Sequence, residues 1–284
     1  MTRPLVSVIV PFYNEAPHLE ACFKSLFFQR FKGFELIAVD DGSNDGSSEI
    51  AERFLREHPS RMRLFKSPHL GVGAARNLAA KKALGKILVF VDADMQADPG
   101  FVGKIIAPIR SGKEDGTFVV DELVSNLDNA WAKAWNLQQG VPLGRRLPLD
   151  MPSRCDLFRA ISRKAYLKAG GNREKLGANS DVIRSRDLKP ALAVPGAILY
   201  HANPHSMTDV MLSARWYGRG EAAAKQGSAY ARLLWAYNPL KSVLGATLGA
   251  LRHGSPFFFV FRIVFDAAHL WGLLEGRMTG KTQR

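Results

Sequence analysis

Mostly apolar runs and amphipathic stretches alternate along the first third of the chain. LVSVIV (5–10), FELIAV (34–39) and KILVFV (86–91) lack polar alternation, as strands do when helices cover both faces of a parallel sheet. Leu19, Phe23, Leu26 and Phe27 recur at helical spacing, so a helix is expected over roughly 15–30 with Asn14 as its cap. Ser47–Glu57 and the alanine-rich Gly73–Leu84 also read as helices, and Arg63–Phe65 as a short strand. This alternation predicts a parallel sheet with right-handed crossovers. The stretch 110–155 is less regular and holds Trp131, Trp135 and the basic turn Leu143–Leu147. DLFRAISRKAYLK (156–168) returns to a strand and a short helix that stops at Gly170-Gly171, before a polar loop, Asn172–Ser180. After Pro204 the composition turns alanine-, leucine- and aromatic-rich, which places a boundary there: 1–205 is the expected α/β domain and 206–284 a helical, basic region.

Polar residues at the ends of the apolar runs carry the candidate chemistry. PFYNE (11–15) follows the first, Asp40-Asp41-Gly42-Ser43 closes the second, and Asp92 and Asp94 close the third. Carboxyl ends of neighbouring parallel strands line one crevice, where open α/β folds bind ligands. Alternate residues of a strand point the same way, so the two acids are expected to converge on a hard cation such as Mg²⁺ or Mn²⁺. Tyr13 can stack on a nucleobase, and Asp41 can accept hydrogen bonds from a base N–H or a ribose hydroxyl. Each feature alone has a plainer explanation: a turn for Asp-Asp-Gly-Ser, edge packing for Tyr13, helix capping for the strand-end acids. Their joint order and spacing is the specific signal.

VSVIVPFYNE, VDDGS, GVGAARN (71–77) and FVDAD together resemble the nucleotide-binding half of family 2 glycosyltransferases of the GT-A fold. The likeness is close over about 5–100 and looser to about 205, the acceptor half. It implies an α/β fold with a GT-A-like, mostly parallel twisted sheet flanked by helices and a helical C-terminal extension. It also implies inverting transfer of one sugar from a nucleotide-diphosphate sugar, UDP- or GDP-linked, to a hydroxyl of a glycan or lipid-linked acceptor. A divalent metal, Mn²⁺ or Mg²⁺, would sit on the diphosphate. Carried across residue by residue, Pro11, Tyr13, Glu15 and Asp41 would contact the nucleoside and Arg76 would support it. Asp92 would touch ribose or metal, and Asp94 would ligate the metal. His201, after the strand AILYH, would approach metal or diphosphate, or else be structural. Asp181, beyond the Gly-Gly loop, stands where the family keeps its base; its alternative role is to cap a helix over 182–188. An ordinary carboxyl titrates at ~4 and is ionised at neutral pH, ready to accept a proton. Ser180 replaces the first acid of the family's usual Glu-Asp pair, which leaves a catalytically impaired sugar-nucleotide-binding or peripheral membrane protein as the alternative.

Near-misses narrow the field. GVGAAR lacks the last glycine of a dinucleotide fingerprint and follows no long strand. The glycine-rich basic loop of sugar-phosphate nucleotidyltransferases is missing after strand 1. Processive synthases carry Gln-x-x-Arg-Trp, where this chain has Leu212–Trp216 (LSARW), so single-sugar transfer is expected.

Charge adds a partner class. The 284 residues carry a net charge of +13, which favours an anionic partner: nucleotide-linked substrate, nucleic acid or acidic membrane. No readable motif supports nucleic acid, and none is expected as partner. Cys22 and Cys155 have no metal-ligand spacing and suggest a reducing, cytoplasmic setting, peripheral on the inner face of the cell membrane if the C-terminal region binds lipid. No basic, apolar, small-residue leader opens the sequence, and the one stretch of 18 or more residues without Asp, Glu, Lys or Arg, 190–208, is broken by three prolines and two histidines, so neither a signal peptide nor a spanning helix is expected. PFFFVFRIVFDAAHLWGLL (256–274) reads as an amphipathic helix with Arg262, Asp266 and His269 on one side, beside a second apolar helix over 240–251. Its apolar face suits a membrane interface, the catalytic domain, or another subunit in a homo-oligomer.

Overall fold

The computed structural model describes residues 3–172, 183 and 188–280. Packing divides the chain into two compact units. One takes the chain up to Leu123, the stretch from Leu149, and the strand that ends at His201; the other takes Val124–Pro148 and everything from Ala202 onward.

The first unit is built on a mixed sheet. β1 (Val6–Phe12), β2 (Phe34–Asp40), β3 (Met62–Lys66) and β4 (Ile87–Phe90) form its parallel half in the order β3-β2-β1-β4, with Val6 opposite both Phe34 and Ile87. Val6, Val8, Val10 and Phe12 face one layer, packing with Leu19, Phe23 and Leu26 of α1 (Ala16–Phe27) and Phe54 of α2 (Ser47–Glu57). Ile9 and Ile37 face the other, against Ala75 and Ala79 of α3 (Val72–Lys82). Two buried faces explain the mostly apolar runs. Beyond β4 the sheet turns antiparallel through β8 (Ala160–Ser162), while β5 (Met95–Ala97) and β7 (Arg154–Cys155) both pair antiparallel with β9 (Ala191–His201). Short helices α4 (Phe101–Ile105), α5 (Ala107–Arg110) and α7 (Arg163–Lys168) fill the connections.

Two local expectations change. Asn14 does not cap α1: it adopts a left-handed φ of 54°, and its Oδ1 accepts the Asn44 N–H at 2.9 Å. Asparagine tolerates that conformation, and the N-cap position passes to Glu15 without a side-chain bond. The irregular middle contains a nine-residue strand, β6 (Gly116–Val124), and a helix, α6 (Ala130–Gln138), capped by Asn129 through the N–H groups of Trp131 and Ala132.

The second unit gathers α6 with α8 (Met207–Ala224), α9 (Gly227–Ala236), α10 (Pro239–His253) and α11 (Pro256–Thr279). The division falls at 201/202 rather than after 205, and 124–148 joins the helices because its tryptophans pack there. Trp131 meets Phe257 edge-on at 4.8 Å between centroids, and Trp135 meets Phe265 at 5.4 Å. α8 and α11 approach so closely that a Cβ on Gly272 would sit 2.0 Å from the Arg215 carbonyl oxygen. Arg215 donates to both Glu275 oxygens at 2.7 Å across the same contact. By length and composition α11 could cross a membrane, a test that the core helix of a soluble protein also passes. Its two central charges neutralise each other, Arg262 Nε lying 2.8 Å from Asp266.

Candidate active site

The carboxyl edge of the parallel half holds two groups of predicted residues. At the ends of β1 and β2, the Asp41 carboxylate accepts the N–H of Leu70 at 2.9 Å and of Gly71 at 2.7 Å. Those bonds tie the start of α3 to β2, and Gly71, at φ 93°, supplies the turn. Each carboxylate oxygen has a second lone pair to offer. Tyr13 lies against His69, ring centroids 4.0 Å apart, in the loop between β3 and α3. Glu15 donates its N–H to Ser47 Oγ at 2.8 Å, and Pro11 is buried within β1 opposite Val39.

The second group surrounds the paired acids. β4 ends before them, and Ala93 and Asp94 lie in a turn in which Met95 N–H donates to the Asp92 carbonyl at 3.0 Å. The two acids thus leave β4 in a turn rather than as strand residues, and their hydrogen-bond partners differ. Arg76, buried on α3, ion-pairs with Asp92 Oδ1 and lies over the Phe90 ring at 5.8 Å. Arg159 reaches Asp92 Oδ2 at 3.1 Å. Phe90 N–H donates to the Arg159 carbonyl at 2.9 Å, so the meeting of β4 and β8 delivers that guanidinium. Burial pushes the Asp92 carboxyl up, but Arg76 and Arg159 outweigh it and hold the group well below the usual carboxylate range.

Asp94 meets His201 instead. The antiparallel register of β5 and β9 sets His201 opposite Met95, next to Asp94, and Nε2 lies 3.0 Å from Asp94 Oδ2. On the other side of the ring, Nδ1 lies 2.7 Å from Glu122 Oε1 of β6. A carboxylate and an imidazole, with a second carboxylate orienting the ring, are a donor set that Mn²⁺ or Mg²⁺ accepts. Among the described residues no group of three or more His, Cys, Asp or Glu is arranged around one point. Two protein donors leave the remaining positions to water and phosphate oxygens, which suits these ions.

Glu122, Arg159 and His69 escape sequence reading because each meets its partner through pairing of distant segments. Asn77 of the GVGAARN motif acts on a turn far along the chain. Its Oδ1 accepts the Asn172 N–H at 2.9 Å, and its Nδ2 donates to the Asn172 carbonyl at 3.0 Å. It thereby pins the Gly170-Gly171 turn, both residues at positive φ. Asp181 and Ser180 lie outside the described residues.

The pair of buried Arg76 and half-buried Asp92 yields a stability prediction. Arg76→Met leaves the half-buried Asp92 with Arg159 alone and one carboxylate oxygen without its partner, so it should cost about 1–3 kcal/mol, read as a lower midpoint in urea unfolding. The sign with pH follows from the depressed Asp92 pKa: this stabilisation is present above the unfolded carboxyl value of ~4 and fades as pH falls below it. The acid limb of the wild-type stability profile should flatten in the variant.

Parallel strands ending in acids, continued by antiparallel strands that bring in a histidine, define an α/β protein of GT-A architecture. The profile described as glycosyl transferase family 2 matches residues 7–170, more than half of the chain, and the chain belongs to that family. It is 43% identical over 91 residues to the uncharacterized glycosyltransferase EpsJ of Bacillus subtilis, a stretch that covers 32% of this chain and 26% of that relative. The chain thus spans about a quarter of that relative's length. Among solved structures it is similar to the mannosyltransferase PcManGT from Pyrobaculum calidifontis in complex with GDP-Man and Mn²⁺, with a TM-score of 0.60 and 20% identity over 95% of this chain and 88% of that one. A second is S. aureus TarS 1-349 in complex with UDP-GlcNAc, with a TM-score of 0.55 and 18% identity over 96% and 91%. At those identities the likeness is one of fold.

Proposed function

We propose that this chain transfers one sugar, with inversion, from a nucleoside-diphosphate sugar to an acceptor hydroxyl of a glycan or lipid-linked molecule. The observation that carries the reading is the Glu122–His201–Asp94 chain at the carboxyl edge of the sheet, beside an Asp92 already charge-balanced by two guanidiniums. Asp94 faces the His201 imidazole while each Asp92 oxygen is taken by a guanidinium, so Asp94 and His201 would hold the cation. Asp92 is left to a ribose hydroxyl, and Arg76 acts through Asp92. When bound, the metal offsets charge growing on the leaving diphosphate. Tyr13 and Asp41, with Pro11 and Glu15 beside them, would hold the nucleoside. Fold neighbours in complex with GDP-Man and with UDP-GlcNAc support a donor of that class. Free thiols at Cys22 and Cys155 are in keeping with a cytoplasmic setting.

Asp181 is the base in this reading. It takes the proton of the acceptor hydroxyl as that oxygen attacks the anomeric carbon from the face opposite the diphosphate. One carbon–oxygen bond forms as the other breaks, so configuration inverts without an enzyme nucleophile; inverting glycosidases place their base on the same side, with water attacking. NMR of sugar released by slow hydrolysis of an α-linked donor tests the stereochemistry. The β anomer should appear first, and the α anomer first would overturn inversion. Glu122 is a positioning residue here: Glu122→Gln should weaken Mn²⁺ binding about 10–100-fold, measured by titration calorimetry, as loss of such outer partners generally does.

A further inference from the structure

The second unit turns an apolar stripe outward. On α10, Leu240, Leu244, Leu248 and Leu251 recur along one side, with exposures of 84%, 59%, 57% and 75%, and Val243 is exposed beside them. The other side of the helix is spent on packing: Ser242 and Ala246 are buried, and Gly249 lies against the Phe258 ring of α11. α9 contributes no buried residue, and Trp235 near its end is 65% exposed. The Lys241 ammonium lies 4.8 Å from the centre of that indole.

Charge selects the occupant. From Ala222 to Phe265 the chain has no Asp or Glu, but it has Lys225, Arg232, Lys241, Arg252 and Arg262. Arg262 pairs with Asp266, while the other four are exposed. Leucines and a tryptophan framed by exposed cations suit a surface that is apolar beneath and anionic at its rim. A second copy of the chain would set the same cations against one another.

We propose that α9 and α10 lie in the plane of an anionic lipid bilayer, with the Leu240–Leu251 stripe and Trp235 in the acyl boundary and the cations at the phosphates. A helix of 15 residues is about 22 Å long, short of the ~30 Å hydrocarbon core, so it lies in the interface rather than crossing. The sequence pattern points to 256–274 for such a contact, but α11 buries Phe258, Phe261, Phe265 and Leu273 within its own unit. The lysine and arginine stems extend the apolar face and carry their charge to the headgroups.

Vesicle flotation tests this without any donor or acceptor, so its outcome is independent of the transfer reading. The full chain should float with vesicles containing about 30% phosphatidylglycerol in phosphatidylcholine, bind phosphatidylcholine alone far more weakly, and lose binding as salt rises. Leu244→Glu with Leu248→Glu, both on the exposed side, should cut binding on the order of tenfold or more. Lys241→Gln with Arg252→Gln leaves the apolar stripe intact and should cut it by about fivefold per cation removed. Velocity sedimentation without lipid should give the same species for the wild type and the leucine variant. The proposal falls if the wild type ignores anionic vesicles, if both double variants float as well as it does, or if the leucine variant breaks a dimer.

Discussion

Asp94→Ala is expected to lower sugar transfer by about a hundred- to thousandfold, the equivalent of several kcal/mol of charge stabilisation at the leaving group. Asp94 is the paired acid that faces the imidazole, its Oδ2 lying 3.0 Å from His201 Nε2. Without it the imidazole keeps Glu122, and a cation keeps only the imidazole. The residue sits in a turn, partly exposed, so the fold should survive. Steady-state rates across a Mn²⁺ titration check this: the variant should be slow at every metal concentration and need more metal for half-activation. Full activity would remove Asp94 from the mechanism.

Asp181→Asn is expected to be as severe by a different route. Loss of a general base costs about 10²–10⁴-fold, and it should appear in kcat with donor affinity unchanged. The wild-type rate should fall on the acid side as the base becomes protonated, and the variant should lack that limb. A wild type that binds donor yet never transfers would favour the catalytically impaired alternative suggested by Ser180. An Asp181 variant that transfers at the full rate would place the base elsewhere.

The parallel half of the fold was legible because burial on both faces writes itself as nearly continuous apolar runs, as in Val8–Val10 and Leu36–Val39. β6 was not: its outer half carries Asp121 and Glu122, and those acids break the run that would mark a buried strand. Motif residues near strand ends were legible for the same reason as the strands. Their partners were not, since Glu122 meets His201 across 79 residues and Arg159 meets Asp92 across 67. At Asp92 and Asp94 a turn replaces the last strand residues, which the apolar run before them does not announce. Trp131 and Trp135 were visible as large apolar residues, but their destination, the aromatic face of α11, depends on folding at long range.

Heat denaturation of the intact chain with UDP-, GDP- and dTDP-sugars, each with and without Mn²⁺, tests the donor site most directly. A ligand that binds only the native state at about a hundred times its Kd should raise the midpoint by about 5 °C or more. The account predicts such a rise for at least one sugar nucleotide, dependent on Mn²⁺ and abolished in Asp94→Ala. No rise with any of them, or a rise of equal size in Asp94→Ala, would contradict it.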